Sequence, residues 1–392
     1  MEQSFDFDTI ISRRNTNSYK WDSHHESDMQ PMWVADMDFR TAPPVIEALS
    51  RRVQHGIFGY TYVPEAFYNA TEDWFSTKHG WNINPDSIIY TSGVVPAISA
   101  IIKAFTSPGD AVATLTPVFN CFFSSIRNND CSVASVPLKI INNRYEIDFD
   151  LLAKVFVRPD VKIFILCNPH NPGGRVWTRQ ELKLIAELAH ENGVKVISDE
   201  IHCELTYPDF SYTPYGTLPA ALIKDAVVCI SPSKAFNIAG LQIAVIVAND
   251  KSMRQRIDKA ININEVCDVN PFGVDALIAA YTQGAPWLEA LNKYLYGNYL
   301  YVKEYFEKYL APLNMMSAES TYLAWIDCTA LGLTSEEIDA ILQREAHVRV
   351  SPGSIFGPEG EGFIRLNFAC PRQILEEVLP KLKNLTNRYK AK

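Results

Sequence analysis

The fold is decided by residues 161–200, which read VKIFILCNPHNPGGRVWTRQELKLIAELAHENGVKVISDE. An apolar run from Val161 to Cys167 is followed by turn residues and then by a helical pattern. This pattern begins at Thr178, with a glutamate three residues later as in a capping box, and ends before Gly193. A second apolar run, Val194 to Ser198, comes directly after it. The order of strand, helix and strand predicts a βαβ unit in a parallel sheet.

Similar apolar runs occur on both sides of this unit and predict further strands of one sheet, at Ser87 to Ser92, Ala111 to Leu115, Ala226 to Ile230 and Leu241 to Val247. The pattern changes near Ala285. It then predicts a long helix, a strand, a helix and a strand, at Trp287 to about Leu310, Tyr322 to Ile326, Ser335 to Glu345 and Phe363 to Phe368. We expect an α/β protein with a large domain at residues 45–284, a smaller α+β domain at 285–392, and an N-terminal segment at 1–44 that joins the small domain.

Composition limits the class of protein. The chain has 392 residues, 47% of them hydrophobic and 21% charged, which is typical of a globular protein. A net charge of −9 argues against a nucleic-acid partner, because binding to phosphates requires clustered Lys and Arg. No apolar run approaches the roughly 18 residues that cross a bilayer, and Met1 to Asn17 does not resemble a signal peptide. The eight cysteines show no paired spacing. We expect a soluble, cytoplasmic protein whose partners are small molecules or proteins.

Chemistry is expected beyond the carboxyl ends of the strands, where open parallel sheets bind ligands. Gly93 opens a helix whose free amides suit a phosphate, although a tight turn would look the same. Asn168 to Gly174 forms a turn-rich loop, and Asp199 ends an apolar strand, where it could equally cap a helix or form an ion pair. Lys234 lies beside apolar residues that can lower the pKa of an amine, although most lysines are simply solvated. Together these groups fit pyridoxal phosphate, which needs a lysine, an acid and a phosphate site.

These residues also carry a family resemblance. Asn171 to Gly174, Asp199 to His202 and Ser231 to Lys234 resemble the fold-type-I pyridoxal-phosphate enzymes, the class I/II aminotransferases. Four stretches are similar to the cystathionine β-lyase, or carbon–sulfur lyase, branch of that group: Pro31 to Phe39, Phe58 to Tyr60, Ser231 to Gln242 and Arg365 to Arg372. The resemblance implies the fold of that group, a large domain with a mostly parallel mixed sheet flanked by helices plus a smaller domain.

The resemblance also implies roles around the cofactor ring. Lys234 would bind the cofactor covalently and act as the base at the substrate Cα. Asp199 would face the pyridine nitrogen and Asn171 would bond the ring hydroxyl oxygen. His202 occupies a place where aminotransferases usually have tyrosine, and Phe119 would stack on the ring.

The phosphate and the substrate would have separate partners. By the same resemblance, the phosphate would be held by Val94, Val95, Ser231 and Ser233, with Tyr60 reaching over from a second subunit of a homodimer. Arg365 would bind the substrate α-carboxylate, and Val34 and Ala35 would border the substrate, although an apolar pair is as easily plain packing. Two positions depart from common patterns of relatives. Gln242 stands where many aminotransferases have a cationic phosphate ligand, and Phe119 lacks the hydroxyl that lyases often have there.

Three functions remain open from sequence. The first is a carbon–sulfur β-lyase that converts cystathionine or cysteine S-conjugates to pyruvate, ammonia and a thiol. The second is an aminotransferase, whose catalytic residues barely differ. The third is a cofactor-bearing scaffold or regulatory partner protein. No metal site is expected, because the histidines, including His24 and His25, lack metal-ligand spacing.

Overall fold

The computed structural model of the protein describes residues 5–23, 28–265 and 268–388. Its helices in these ranges are α1 (Tyr19–Asp22), α2 (Pro43–His55), α3 (Glu65–His79), α4 (Val94–Phe105), α5 (Cys121–Arg127), α6 (Phe149–Phe156), α7 (Arg179–Asn192), α8 (Ala220–Ile223), α9 (Lys251–Asn262), α10 (Pro271–Gln283), α11 (Ala285–Tyr309), α12 (Ser335–Ile341) and α13 (Arg372–Arg388). Its strands are β1 (Gln30–Pro31), β2 (Ile88–Thr91), β3 (Ala111–Thr116), β4 (Ser132–Pro137), β5 (Lys139–Ile141), β6 (Arg144–Glu146), β7 (Val161–Cys167), β8 (Lys195–Asp199), β9 (Ala226–Ile230), β10 (Ala244–Val247), β11 (Asn314–Met315), β12 (Leu323–Asp327), β13 (Val348–Arg349), β14 (Ser351–Pro352) and β15 (Phe363–Asn367).

A seven-stranded mixed sheet forms the centre of the fold, in the order β2-β10-β9-β8-β7-β3-β4. β10 is antiparallel to both of its neighbours, and the other strand pairs are parallel. The six strands predicted from apolar runs are all present, as β2, β3, β7, β8, β9 and β10. The sequence prediction for β10 began three residues too early, because Ala239–Leu241 forms a 3₁₀ turn and Gln242 adopts a left-handed conformation with φ 54°. β4 was not predicted, because its alternating small residues form only a weak apolar pattern.

The predicted βαβ unit is confirmed. The Thr178 hydroxyl accepts a hydrogen bond from the Glu181 amide, and the Glu181 carboxylate accepts one from the Thr178 amide, so α7 begins with a full capping box. Gly193 ends α7 with φ 67°, a conformation that glycine adopts without strain. β7 and β8 then pair in parallel with Cys167 opposite Asp199. This register brings the loop after β7 next to the acid that ends β8.

The sheet buries a separate apolar cluster on each face. Side chains alternate along a strand, so Ile163 and Ile165 of β7 pack under α4, α5 and α9, whereas Phe164 and Leu166 pack on the side of α7. Because both faces are covered, the strands are almost wholly apolar, as is usual for parallel sheets. Polar side chains are therefore left to the strand ends, where the candidate site lies.

A second sheet brings distant parts of the chain together. It has four strands in the order β11-β12-β15-β14, and all three pairs are antiparallel. β15 carries Arg365, which lies opposite Ser351. β1 pairs in parallel with β13, so Gln30 near the N-terminus lies opposite Val348. Among the helices that the structure describes, none has the length and apolar character to span a membrane.

Candidate active site

The predicted residues meet at a cavity of about 190 Å³ beyond the carboxyl ends of the central strands. Nine of the thirteen predicted site residues line it: Ala35, Val94, Val95, Phe119, Asn171, Asp199, His202, Ser233 and Lys234. A larger cavity of about 640 Å³ borders α4 and α9, and none of the predicted site residues lines it within the described part of the chain. We identify the smaller cavity as the candidate active site, because it contains the amine, the acid and the helix N-terminus.

Asp199 is a buried acid with few partners. Its side chain is buried at the end of β8, and Oδ1 accepts a hydrogen bond of 3.1 Å from the Ile201 amide. Burial, with a smaller contribution from the neighbouring Glu200, raises the pKa of Asp199 to about 7, while the Ile201 hydrogen bond and Lys234 oppose the shift. None of the described lysines and arginines forms a salt bridge with it. A ligand that brings a positive charge to this carboxylate would relieve the cost of its burial.

Glu200, the next residue, is a buried acid whose two carboxylate oxygens both have hydrogen-bond partners. Its carboxylate accepts hydrogen bonds from the Tyr212 hydroxyl, the Tyr215 amide at 2.9 Å, the Ser198 hydroxyl at 2.7 Å and the Asn168 amide at 3.1 Å. Burial also raises the pKa of Glu200 to about 7. Because its oxygens are already used within the fold, Glu200 is a structural group and Asp199 is the acid available to a ligand.

Lys234 reaches the same cavity from the turn after β9. Its Nζ donates a hydrogen bond of 2.7 Å to the carbonyl oxygen of Ala35, which also accepts one of 3.0 Å from the Tyr322 hydroxyl. Burial lowers the pKa of Lys234, and Arg365 adds to the shift, whereas Asp36 and Asp199 oppose it. A lowered pKa increases the neutral fraction of the amine, which is the nucleophilic form.

Arg365 lies beside the cavity as a buried cation. Nη1 donates to the Asn171 side-chain oxygen at 3.0 Å and Nη2 to the Trp33 carbonyl at 2.9 Å, while Nε has no partner. Burial lowers the pKa of Arg365 to about 10, and the groups that oppose this shift, Tyr322 and Cys121, are not carboxylates. No carboxylate of the described chain pairs with it. A buried guanidinium without an anion is suited to bind the carboxylate of a ligand.

His202 lines the cavity as a neutral ring. Its side chain is buried and Nδ1 has no hydrogen-bond partner within the described structure. Burial, together with the charges of Lys234 and Arg365, lowers the pKa of His202 to about 3. At neutral pH the ring can therefore donate a hydrogen bond from one nitrogen and accept one at the other.

The opposite end of the cavity is suited to an anion. α4 begins at Val94, and its first intrahelical hydrogen bond runs from the Ala97 amide to the Gly93 carbonyl. The amides of Val94 and Val95 therefore have no partner within the helix and lie at its positive end. Ser233 and Gln242 also line the cavity. Lys234 is the only lysine or arginine among the lining residues that the structure describes, so this end holds polar rather than cationic groups.

Four predicted residues do not line the cavity. Arg365 lies next to it through Asn171, as described above. The Ser231 hydroxyl is used within the fold, because it donates to the Ile243 carbonyl at 2.6 Å and accepts from the Ser233 amide at 3.1 Å. The Val34 carbonyl accepts from the Asn367 side chain, and the Tyr60 side chain is 98% exposed on the single chain. Their proposed roles stay predictions.

Three residues near the site were not singled out from the sequence. Asn367 donates to the carbonyls of Val34 and Asp36 and so fixes the loop that presents Ala35 to Lys234. Tyr322 bonds the same Ala35 carbonyl from the start of β12. Cys121 interacts electrostatically with Lys234, Arg365 and Asp199. A local signal existed only for Cys121, which lies two residues after the predicted Phe119.

Within the described ranges, no group of three or more His, Cys, Asp and Glu side chains could hold a metal ion. The seven described cysteines are free. His24, His25 and Cys267, which entered the sequence predictions, lie outside the described residues.

Comparison with known proteins agrees with this geometry. A family model described as aminotransferase class I and II matches residues 29–382. The chain is 40% identical to cystathionine beta-lyase PatB of Bacillus subtilis, over 96% of this chain and 98% of the relative. It is 35% identical to protein MalY of Escherichia coli, over 97% of this chain and 98% of the relative. Among solved structures, cystalysin from Treponema denticola, described as containing a pyridoxal 5′-phosphate cofactor, is 32% identical with a TM-score of 0.95, covering 98% of this chain and 99% of that chain. The chain therefore belongs to the class I and II aminotransferase family.

Proposed function

We propose that the protein is a pyridoxal-phosphate-dependent carbon–sulfur β-lyase that cleaves cystathionine or a cysteine S-conjugate to pyruvate, ammonia and a thiol. The observation that carries the proposal is the meeting of Lys234 and Asp199 in one cavity, with Arg365 held beside it by Asn171. An amine, an unpaired buried acid and an unpaired buried cation are the groups that a cofactor with an amino-acid substrate requires. The relatives support the lyase reaction, since the one 40% identical over 96% of the chain is named cystathionine beta-lyase.

The residues present fit the cofactor. Pyridoxal phosphate supplies an aldehyde that links to a lysine, and a ring that spreads the negative charge formed at the substrate Cα. Lys234 would form the link, Asp199 would keep a proton on the ring nitrogen, and Asn171 would bond the ring hydroxyl oxygen. Phe119 would pack on the ring face, and His202 would offer its unpartnered nitrogen at the edge.

The phosphate would lie at the N-terminus of α4. The free amides of Val94 and Val95 and the polar side chain of Ser233 would bind its oxygens. Gln242 would add a neutral donor where a cation could have stood, so amides and the helix dipole would carry most of the binding. The role predicted for Ser231 would require its hydroxyl to leave the Ile243 carbonyl.

The substrate would be fixed by its α-carboxylate on Arg365 and then deprotonated by Lys234. The neutral amine of Lys234 would take the Cα proton as a general base, and the Ala35 carbonyl that now accepts from Nζ would hold the charged form. The bond from Cβ to sulfur would then break, and the sulfur would leave with the bonding pair as a thiolate that takes up a proton from water. Ala35 and Val34 would border this side of the substrate.

The test is a product assay with the purified, cofactor-loaded protein and cystathionine. We expect pyruvate and free thiol in equal amounts, and neither product from Lys234→Ala. Arg365→Gln should lower kcat/KM by about 10- to 100-fold, because a charge-assisted pair with the carboxylate is lost. The exposed Lys224 gives a matched control, since Lys224→Ala should leave the products unchanged.

The same assay separates the alternative functions. The family model and several relatives are named for aminotransferases, which supports transamination as the second candidate. Formation of a keto acid from a common amino acid without release of thiol would favour it. A protein that binds the cofactor but turns over neither class of substrate would favour the scaffold function.

We also propose a homodimer in which Tyr60 reaches the partner's cofactor. The support is the exposed position of Tyr60 on the single chain, next to the exposed apolar side chains of Ile57, Phe58 and Tyr62. The division into domains at 45–284 and 285–392 is likewise proposed, with residues 1–44 joining the small domain, and the pairing of β1 with β13 supports it. Free cysteines support action in a reducing compartment such as the cytoplasm.

A further inference from the structure

The carbonyl oxygen of Ala35 is an acceptor that two side chains share. Ala35 lines the active-site cavity, and its oxygen accepts hydrogen bonds of 2.7 Å from Lys234 Nζ and 3.0 Å from the Tyr322 hydroxyl. A carbonyl oxygen has two lone pairs, so both acceptor positions are occupied. Tyr322 is fully buried and is not among the described residues that line the cavity. Its connection to Lys234 is therefore this shared oxygen.

The loop that carries Ala35 is held on both sides by another residue. Nδ2 of Asn367 donates hydrogen bonds to the carbonyls of Val34 at 2.5 Å and Asp36 at 2.6 Å. The Ala35 carbonyl lies between these two anchored carbonyls and keeps its direction without help from a third donor. The Tyr322 hydroxyl is thus not needed to orient this carbonyl, and its effect is to occupy one of the two acceptor positions.

The backbone is strained where it presents Tyr322. Thr321, the residue before it, has φ 72°, a conformation that a β-branched side chain rarely adopts. Its amide donates to the Leu205 carbonyl at 2.7 Å and its carbonyl accepts from the Tyr207 hydroxyl at 2.9 Å, and these bonds hold the conformation. Backbone strain of this kind persists only where the surrounding structure fixes it, and it is concentrated at functional sites. The strain indicates, independently of the hydrogen bonds at Ala35, that the position of Tyr322 matters.

We propose that Tyr322 is a positioning residue that competes with Lys234 for the Ala35 carbonyl and so favours the neutral form of the amine. A charged amine gains more than a neutral one from a hydrogen bond to a carbonyl, because that bond is charge-assisted. An oxygen that already accepts from a hydroxyl has less electron density to offer a second donor. The shared carbonyl therefore stabilises the ammonium form less than an unshared one would. The proposal rests on the proposed function only in taking Lys234 as the reactive amine.

The neutral amine is needed at two stages of the proposed reaction. Lys234 acts as a nucleophile when it links to the cofactor aldehyde, and as a general base when it takes the proton from the substrate Cα. Sharing of the Ala35 carbonyl with Tyr322 favours both stages, because it weakens the hold of that carbonyl on the charged amine.

Other titratable groups also act on Lys234: Asp36, Asp199, Cys121 and Arg365. Burial lowers the pKa of Lys234 and Arg365 adds to this shift, whereas the other three groups oppose it. Asp36 and Arg365 also act on Tyr322, and the ring centres of His202 and Tyr322 lie 6.3 Å apart. Burial raises the pKa of the Tyr322 hydroxyl, so this hydroxyl stays a donor at neutral pH. Tyr322→Phe leaves all these groups in place and removes the hydroxyl alone.

The test measures the neutral fraction of Lys234 in the cofactor-free protein. Formaldehyde with cyanoborohydride methylates neutral amines, and peptide mass mapping gives the rate at Lys234 from about pH 6 to about pH 10. We expect the midpoint of this profile to lie about one pH unit higher in Tyr322→Phe than in wild type, the equivalent of about one hydrogen bond. At neutral pH the variant should therefore be methylated about tenfold more slowly, and at high pH the two rates should converge.

Two further variants show whether the hydroxyl is responsible. Tyr299→Phe is the matched control, because Tyr299 is also a buried tyrosine and its hydroxyl accepts from the Ala318 amide at 3.3 Å; its profile should match that of wild type. Tyr322→Leu lacks both the hydroxyl and the ring, and it should shift the midpoint as Tyr322→Phe does. An unchanged or lowered midpoint in Tyr322→Phe would overturn the proposal. A shift in Tyr322→Leu alone would also overturn it, because the effect would then belong to the ring.

A kinetic measurement on the cofactor-loaded protein separates this proposal from the proposed lyase function. Pyruvate formation from cystathionine by Tyr322→Phe should be about tenfold slower than by wild type near neutral pH and should recover as the pH rises. Equal slowing at every pH would indicate a structural defect and would contradict the proposal. If wild type released no pyruvate while the methylation profiles differed as expected, the lyase function would fail and the role of Tyr322 would stand. Equal methylation profiles beside an active wild type would refute the role of Tyr322 alone.

Discussion

Replacing Asp199 by asparagine should remove a pH-dependent loss of stability from the cofactor-free protein. Burial raises the pKa of Asp199 in the fold to about 7, against an ordinary value of 3.8. Between these values the unfolded chain releases a proton that the folded chain keeps. The free energy of unfolding therefore decreases as pH rises, by about 1.4 kcal/mol per pH unit. Between about pH 5 and about pH 7 the loss amounts to about 2 kcal/mol, because the slope halves near the folded pKa.

Urea unfolding of the cofactor-free proteins measures this loss. The free energy of unfolding of wild type and Asp199→Asn would be compared at about pH 5 and about pH 7, at one protein concentration. The contribution of Glu200, whose pKa is also raised, is present in both proteins and largely cancels. Asp209→Asn is the matched control, because Asp209 is an exposed acid in a turn with positive φ, which asparagine tolerates. If the difference between wild type and Asp199→Asn stayed constant over this pH range, Asp199 would not be a buried, unpaired acid, and its proposed partnership with a ring nitrogen would lose its physical basis.

Three further outcomes are expected. Lys234→Ala should retain no cofactor after borohydride reduction and denaturation, as measured by mass, whereas Lys224→Ala should retain it fully. Glu319→Ala should lower the free energy of unfolding in urea by about 2–3 kcal/mol, because Nη1 of buried Arg175 loses its carboxylate partner while Nη2 keeps Glu181. The exposed Glu289→Ala should lower it by less than about 1 kcal/mol. Tyr60→Ala should weaken cofactor affinity about tenfold at unchanged secondary structure, and mixing it with Lys234→Ala should restore activity in hybrid dimers; no restoration would contradict a shared site.

The parts of the site that follow a strand directly could be predicted from the sequence. Asp199, Asn171 and Lys234 each lie at or just after the end of an apolar strand, and parallel strands bring their carboxyl ends to one edge. Their convergence therefore depends only on the recognition of the strands. The capping box of α7 was equally local, since both of its hydrogen bonds join residues three apart.

Contacts between distant segments could not be predicted in this way. Arg365 meets Asn171 across 194 positions of sequence, and Ala35 meets Lys234 across 199. These contacts depend on how the second sheet packs on the first, which no local sequence pattern encodes. The direction of the Ser231 hydroxyl could not be predicted from the sequence either, because its hydrogen bond to the Ile243 carbonyl depends on the path of the chain into β10.

The distribution of unsatisfied charge identifies the ligand more closely than any single residue does. Away from the cavity, buried ions of this fold have partners: Arg175 binds Glu319 at 2.7 Å, Lys20 binds Asp38 at 2.7 Å, and Glu200 has four hydrogen-bond donors. At the cavity, Asp199 has no cation and Arg365 has no carboxylate among the described residues. An unpaired buried charge is expensive, so the fold tolerates it only where another molecule completes the pair. A molecule that satisfies both groups must carry a positive charge at one point and a carboxylate at another. It must also place an anion at the N-terminus of α4. A phosphorylated pyridine joined to an amino acid meets all three conditions, whereas neither half alone does.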